Sequence, residues 1–504
     1  MTDRPSPRRR DAQPLSGVGG SPVPSGPARR TKSTFLTAGE LVDLTGGRLV
    51  RSSERPVRGA AVDSRQVRPG ELFVALPGER TDGHRYLGDA VRAGAAALLV
   101  TRPPDPDELA ALGDVSVVLV DDAVRGLGAI ATGWRARFQT LVVGITGSIA
   151  KTSTKEAVAT VLATDRPTLR SEGNQNNEIG LPLTVLRMGP DDAAVVLEMG
   201  MYVGGEIRDL ARIARPRIGV VTSVLGVHLS RIGTIEAVEN AKAELVEALP
   251  VTGVAVLNAD DARVRRMAGR TAARTLFYGF AGAADVGAED VASIGPAGMR
   301  FTLRFPPPEP GAPPIRIQAE VPALGRLSVH NALAAAAVGL AAGMEPGAIV
   351  AALARGWAAP HRAELIRAGG ITIVDDTYNA SPASMIAALD LLAGLPGRRV
   401  AVLGEMLELG SGSAAGHREV GRAAAATCQV LCVVGAGAAG IAAGAREAGM
   451  PPRGIVEAED REGGAERLET LLRPGDVVLV KASRGVGLDV LVGRLVAGFG
   501  GARP

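Results

Sequence analysis

Between Gly144 and Lys155 the chain reads G-I-T-G-S-I-A-K-T-S-T-K, a spacing suited to holding a polyphosphate. Such a ligand needs backbone N–H groups pointing inward, a point cation near its terminal phosphates, and a hydroxyl for Mg²⁺. Lys151 and Thr152 supply the last two, and Thr146, Gly147, Ser148, Ile149, Ala150 and Ser153 complete the loop. Two positions depart from the general phosphate-loop pattern: Ile145 and Ala150 stand where glycine is usual. If residue 150 takes a positive φ, alanine costs about 1 kcal/mol; at negative φ that cost largely vanishes.

Further along, polar residues cluster where apolar runs end. Glu198 follows Ala193 to Leu197, where a carboxylate beside a phosphate loop is placed to hold Mg²⁺. His228 and Lys242 follow the run that ends near Thr222, and S-E-G-N-Q-N-N-E-I-G is dense in amides, including Asn174 and Asn177. His330 and Asn331 open an Ala-rich stretch, where the simplest role for Asn331 is a helix N-cap. Asp375 and Asp376 close another run in D-D-T-Y-N-A-S-P; Lys481 and Arg484, in V-K-A-S-R-G, close the last and suit an anionic group or the solvent-facing surface. Taken singly, each has an ordinary structural reading.

These residues must be positioned by strands and helices in alternation. Leu141, Val142, Val143 and Ile145 read as a buried strand, and Ala157, Val158, Val161 and Leu162 recur at helical spacing. The chain of 504 residues is long enough for roughly three domains. The pattern predicts a Pro-rich tail over 1–34, a small α/β domain over 35–139, a central parallel-sheet domain over 140–358 and a Rossmann-like domain over 359–504. The last has no phosphate loop of its own, so a nucleotide must bind between units. The Pro-rich piece around Pro306 to Pro314 reads as a hairpin or loop. Aromatics at 3% and a net charge of +3 argue against a nucleic-acid surface. No uninterrupted apolar stretch approaches the roughly 20 residues of a membrane span. Cys428 and Cys432 read as buried free thiols, alternation placing both on one face of a strand.

In order, the motifs V-D-S-R-Q-V-R-P-G-E-L-F-V-A-L, D-G-H, T-G-S-I-A-K-T-S-T-K, N-Q-N-N-E-I-G-L-P-L-T, L-E-M-G, H-L-S-R-I-G-T, A-K-A-E-L, H-N-A-L-A-A-A, D-D-T-Y-N-A-S-P and V-K-A-S-R-G resemble the Mur ligase family from Leu36 to Asp489. The likeness is strongest to its branch that adds D-alanyl-D-alanine to UDP-N-acetylmuramoyl-tripeptide. It implies a three-domain α/β enzyme, cytoplasmic and monomeric, that forms an amide at the expense of ATP and Mg²⁺ through an acyl phosphate. Position by position, it implies uridine-nucleotide contacts at Ser64 and Arg65, phosphate and metal contacts at Lys151 and Thr152, and Mg²⁺ ligands at Glu198 and His228. Lys242 aligns with a lysine that the family carbamylates, which converts a cation into an anion. Asn331 resembles the adenine contact, Arg362 and Asp376 resemble residues that close on ATP, and Lys481 and Arg484 resemble the acceptor-side surface. Ala150 and Ala482 depart from the family's glycines. A D-N-P-R signature and a D-G-A-H-N run, marks of the diaminopimelate-adding and folylpolyglutamate relatives, are absent. Two other readings stay open: a catalytically silent nucleotide-binding scaffold, and a ligase with a different acceptor.

Overall fold

The computed structural model describes residues 34–78, 81–226 and 232–500, and the expectation for the N-terminal tail falls outside them. Three sheets follow one another along the chain. The first has the strand order Arg48–Arg51, Ser116–Leu119, Ala97–Val100, Leu72–Val74 and Ala60–Ala61, parallel except for its first member. The D-G-H motif braces this sheet. Asp82 accepts from His84 Nδ1 at 2.7 Å, and His84 Nε2 accepts from the Thr101 N–H at 3.0 Å, just past the strand Ala97–Val100. The His84 backbone N–H, which also donates to Asp82, then the His84 ring and Arg102, hold the Asp82 carboxyl well below the usual range.

The central sheet carries nine strands, in the order Ile315–Val321, Met299–Phe305, Val286–Ser293, Arg274–Gly279, Val254–Asn258, Ile218–Val221, Leu141–Thr146, Ala194–Glu198 and Thr168–Arg170. It is parallel from Thr168–Arg170 as far as Val286–Ser293, after which two antiparallel strands complete the edge. The expected parallel-sheet domain is present, with an antiparallel hairpin added at one edge, and the Pro-rich segment is the turn of that hairpin. Residues buried on both faces explain the continuous apolar runs of the inner strands. One face packs on the helix Gly325–Ala341, whose Ala332 to Ala337 are fully buried; such small side chains let a helix lie close to a sheet.

The third sheet runs Glu364–Ala368, Ile371–Asp375, Asp476–Lys481, Arg398–Gly404, Val430–Val434 and Ile455–Ala458, parallel except at its first strand. Cys428 and Cys432 do not share a face. Cys428 caps the end of the helix Ser413–Thr427 and packs with Leu431 and Val433, whereas Cys432 packs with Val430 and Val434 in the opposite layer. Burial pushes the two thiols up to about 11 and about 12 respectively, so both are inert. Ala482, one of the departures, is fully buried, and a Cβ built on Gly404 would lie 2.8 Å from the Ala482 methyl. Gly404, at the end of the neighbouring strand Arg398–Gly404, leaves room for that methyl.

Candidate active site

Strand register brings the site together. Ile145 pairs with Glu198 and Thr146 with Val221, so the phosphate loop, the carboxylate and Thr222 all emerge at the carboxyl edge of the central sheet. In parallel α/β sheets that edge is where ligands bind.

The loop is braced from the neighbouring strand end. Thr222 Oγ1 donates to the Ile149 carbonyl at 2.7 Å, the Ile149 N–H donates to Ser223 Oγ at 3.2 Å, and the Ser148 N–H donates to the Ser223 carbonyl at 2.9 Å. Gly147 has φ +151°, and a Cβ there would fall 1.8 Å from Thr222 Oγ1. Lys151 Nζ folds back onto the Gly147 carbonyl at 2.8 Å, its pKa lowered by burial and partly restored by Glu198. Ala150 takes φ +65° at the start of the helix Lys151–Ala163, which is the costly branch of the sequence expectation. Relief of about 1–2 kcal/mol of left-handed strain outweighs the added freedom of an unfolded glycine, about 0.4–1 kcal/mol. Ala150→Gly is therefore expected to stabilise the chain by about 0.5–1 kcal/mol in chemical denaturation, with calorimetric ATP affinity changed only severalfold.

Behind the loop, Glu198 is almost fully buried. Asn176 Nδ2 donates to its Oε1 at 2.8 Å, while Oε2 has no hydrogen-bond partner and neither has the buried Thr146 Oγ1. A buried, half-satisfied carboxylate next to a phosphate loop is a fitting donor for a hard divalent cation. Lys242, on the helix Ile235–Glu247, is also buried; among the described residues its amine has no hydrogen bond or ion pair. Burial first, and Lys151 second, push the Lys242 pKa well below the usual lysine range. His228 lies outside the described residues.

The third sheet closes a cleft of about 1050 Å³, whose walls include Lys151, Asn174, Asn177, Glu198, Lys242 and Arg362. Arg362 Nη2 donates to Thr152 Oγ1 at 3.1 Å, so this unit already touches the phosphate loop. Its guanidinium lies 4.2 Å over the Tyr378 ring, with Arg484 5.7 Å away. Asp376 and Lys481, which the resemblance assigns to different substrates, form one ion pair at 2.6 Å, and Lys481 Nζ also reaches the Asn379 carbonyl at 2.8 Å. Asn177 lines the cleft, but its Oδ1 is spent on the N–H of Gly180, at the start of the next helix, at 2.9 Å. Asn331 is not an N-cap: it lies within the helix Gly325–Ala341, buried, and accepts from Thr154 Oγ1 at 3.0 Å. It also borders a second pocket of about 440 Å³ with Asp260, Tyr278 and His330, on the far side of the loop. Ser64 and Arg65 line neither pocket. They form a 3-10 turn capped by Asp63, which Arg65 pairs at 2.7 Å with its side chain mostly in solvent. Single-residue signals did not expose Tyr378, Thr222 or Ser223 as parts of the site; the trace of Thr222 and Ser223 was their position immediately after a strand, and that of Tyr378 its place in D-D-T-Y-N-A-S-P.

Residues 56–135 match the Mur ligase family catalytic domain, 145–339 the Mur ligase middle domain, and 361–484 the Mur ligase glutamate ligase domain. The chain belongs to the Mur ligase family. The UDP-N-acetylmuramoyl-tripeptide--D-alanyl-D-alanine ligase of Mycobacterium leprae is 38% identical to this Mur ligase over 520 residues, covering 93% of this chain and 99% of the relative. The Escherichia coli protein of that name is 36% identical over 394 residues, with 78% and 84% covered. Among solved structures, MurF from Acinetobacter baumannii superposes with a TM-score of 0.81 at 26% identity, covering 92% of this chain and all of that one. MurF ligase from Thermotoga maritima, solved in complex with ADP, gives 0.76 at 29% identity, with 88% and 98% covered. The three-domain α/β architecture is common to these structures and this Mur ligase.

Proposed function

We propose that this chain is an ATP-dependent ligase that joins D-alanyl-D-alanine to the free carboxylate of UDP-N-acetylmuramoyl-tripeptide, releasing ADP and phosphate, and that it works as a monomer in the cytoplasm. The observation that carries the reading is the meeting of a braced phosphate loop, a half-satisfied buried Glu198 and Arg362 from the third sheet in one cleft. We place its working units at 35–139, 140–358 and 359–504. No helix among the described residues is long and apolar enough to cross a membrane.

In the first step a carboxylate oxygen of the tripeptide attacks the γ-phosphorus, the bond to the β-phosphate oxygen breaks, and ADP leaves behind an acyl phosphate. The dipeptide amine then attacks the acyl carbon; the tetrahedral intermediate expels phosphate and the nitrogen loses its proton. Most of the acceleration in such chemistry comes from positioning and charge neutralisation. Lys151 would swing from the Gly147 carbonyl onto the terminal phosphates, and Arg362, stiffened by Tyr378, would meet the same charge from the opposite wall. Thr152, Glu198, His228 and Lys242 as its carbamate would hold Mg²⁺, which would supply neutralisation of phosphate charge. Asn331 would face the adenine, Asn174 and Asn177 the tripeptide, and Ser64 with Arg65 the uridine nucleotide.

The test is phosphate release by the purified chain. Release is expected only when ATP, UDP-N-acetylmuramoyl-tripeptide and D-alanyl-D-alanine are all present, with Lys151→Ala as the control. Release no faster than in that control would replace the enzyme by a silent scaffold, whereas release with another amino acid in place of the dipeptide would change the acceptor.

A further inference from the structure

Lys155 is a buried cation that the reaction above does not use. It sits one turn into the helix Lys151–Ala163, lines neither pocket, and its side chain is 0% exposed. An ammonium is among the most costly groups to withdraw from water, and the cost is offset only where its donors find good acceptors. Lys155 Nζ donates to the Ser171 carbonyl at 2.7 Å and the Gly173 carbonyl at 3.3 Å, and meets Glu156 Oε1 at 3.1 Å. Glu156 in turn pairs with Arg170 at 2.7 Å, so the first half of the turn following the strand Thr168–Arg170 is gripped from this helix.

That turn leads directly to Glu198. Ser171 Oγ accepts from the Glu198 N–H at 3.3 Å; Asn176 Nδ2 donates to Glu198 Oε1 at 2.8 Å, and the Asn176 carbonyl accepts from the Gly200 N–H at 2.8 Å. Glu198 is therefore held on its backbone and on one carboxylate oxygen by a segment that Lys155 anchors, which leaves the buried Oε2 without a partner in a residue that lines the cleft. The same helix begins at Lys151 and Thr152, so one rigid element sets both the phosphate-binding end and, through Lys155, the carboxylate.

We propose that Lys155 is a positioning residue that fixes Glu198 through the 171–176 turn, so that the carboxylate and the phosphate loop share a single frame of reference. This rests on the reading of Glu198 as a cation-holding residue. Groups that orient metal ligands typically carry about 10–100-fold of metal affinity.

The experiment uses the full chain with ADP and reads free Mn²⁺ by electron paramagnetic resonance, alongside thermal melts. Lys155→Met is expected to weaken Mn²⁺ binding by about tenfold, with Lys155→Arg recovering most of the loss. Asn176→Ala should weaken binding comparably, and adding it to Lys155→Met should cost little more, because both act through one segment. Should the Met variant not fold, Lys155→Gln replaces it in both measurements. Mn²⁺ binding at the wild-type level in a folded Met or Gln variant would overturn the proposal, as would losses that multiply in the double variant. Wild-type chain whose Mn²⁺ binding is indifferent to Glu198→Gln would overturn the reading of Glu198 itself, and the proposal with it.

Discussion

Lys242→Met is expected to lower substrate-dependent phosphate release by more than about a thousandfold while ADP still binds within severalfold of the wild type. The expectation follows from where the amine sits. It is buried beside Lys151, without a hydrogen bond or ion pair among the described residues, and burial together with that neighbouring charge moves its pKa well down. A neutral amine is the form that adds to CO₂; the nitrogen–carbon bond forms, a proton is released, and the product is an anion. A cation next to Lys151 is thereby exchanged for a group that can help hold Mg²⁺. Under ¹³C-bicarbonate, the wild type should show a carbamate resonance that the Met variant lacks. At fixed dissolved CO₂, occupancy should increase as pH rises through the lowered pKa. The unmodified amine carries the corresponding stability effect. Its folded pKa lies below the unfolded one, so the unfolded chain binds the proton more readily, and stability falls as pH drops from the ordinary lysine range towards the folded value. Lys242→Met should lack that component, and full activity in the variant would remove the carbamate from the mechanism.

Gly147→Ala should be nearly as damaging, for a steric reason. At φ +151° the new Cβ would meet Thr222 Oγ1 at 1.8 Å, Thr222 Cβ at 3.0 Å and the Ser223 nitrogen at 3.1 Å. Turning the Thr222 hydroxyl away would remove the shortest contact, at the loss of the Thr222 to Ile149 bond, but the contacts with Thr222 Cβ and the Ser223 nitrogen remain tight and press the loop against the end of Ile218–Val221. Overpacking of this kind costs about 1–3 kcal/mol of stability. Because the shift falls on the N–H groups that face the phosphates, ADP affinity by calorimetry should drop by about a hundredfold or more, since misplacing groups by about 1 Å has effects of that size. Thr222→Ala removes the brace without the clash and should lose far less. Normal ADP binding by Gly147→Ala would mean that the loop does not carry the nucleotide.

The inner strands were legible because burial on both faces writes uninterrupted apolar runs, as at Val142 and Val143 or Val430 to Val434. The edges were not. Thr168–Arg170 and Arg48–Arg51 carry polar residues on their exposed faces and imitate loops, as does the interior strand Val286–Ser293. Asn331 was misplaced as a cap because the helix starts at Gly325 behind Leu324, which offers no side-chain cap, so the first capping type in the stretch looked like the beginning. Lys151 and Glu198 could be found from local spacing. The pairing of Asp376 with Lys481 spans 105 residues, and Arg362 meets Thr152 across 210, distances at which only the folded chain brings side chains together. Lys155 stands in the loop motif too, but its partners, the Ser171 and Gly173 carbonyls, come from the turn after the neighbouring strand.

The three units are not equally independent. Leu127, Ile130 and Trp134, on the helix Ala123–Arg135, pack in one hydrophobic cluster with Leu181, Val185 and Leu197 of the central unit; Trp134 Nε1 donates to the Met188 carbonyl at 3.0 Å and Arg135 Nε to the Ala214 carbonyl at 2.8 Å. The third sheet's two clusters draw only Leu324 from outside their own unit. The first and second units thus share one interior, whereas the third keeps a core of its own and reaches the phosphate loop through Arg362.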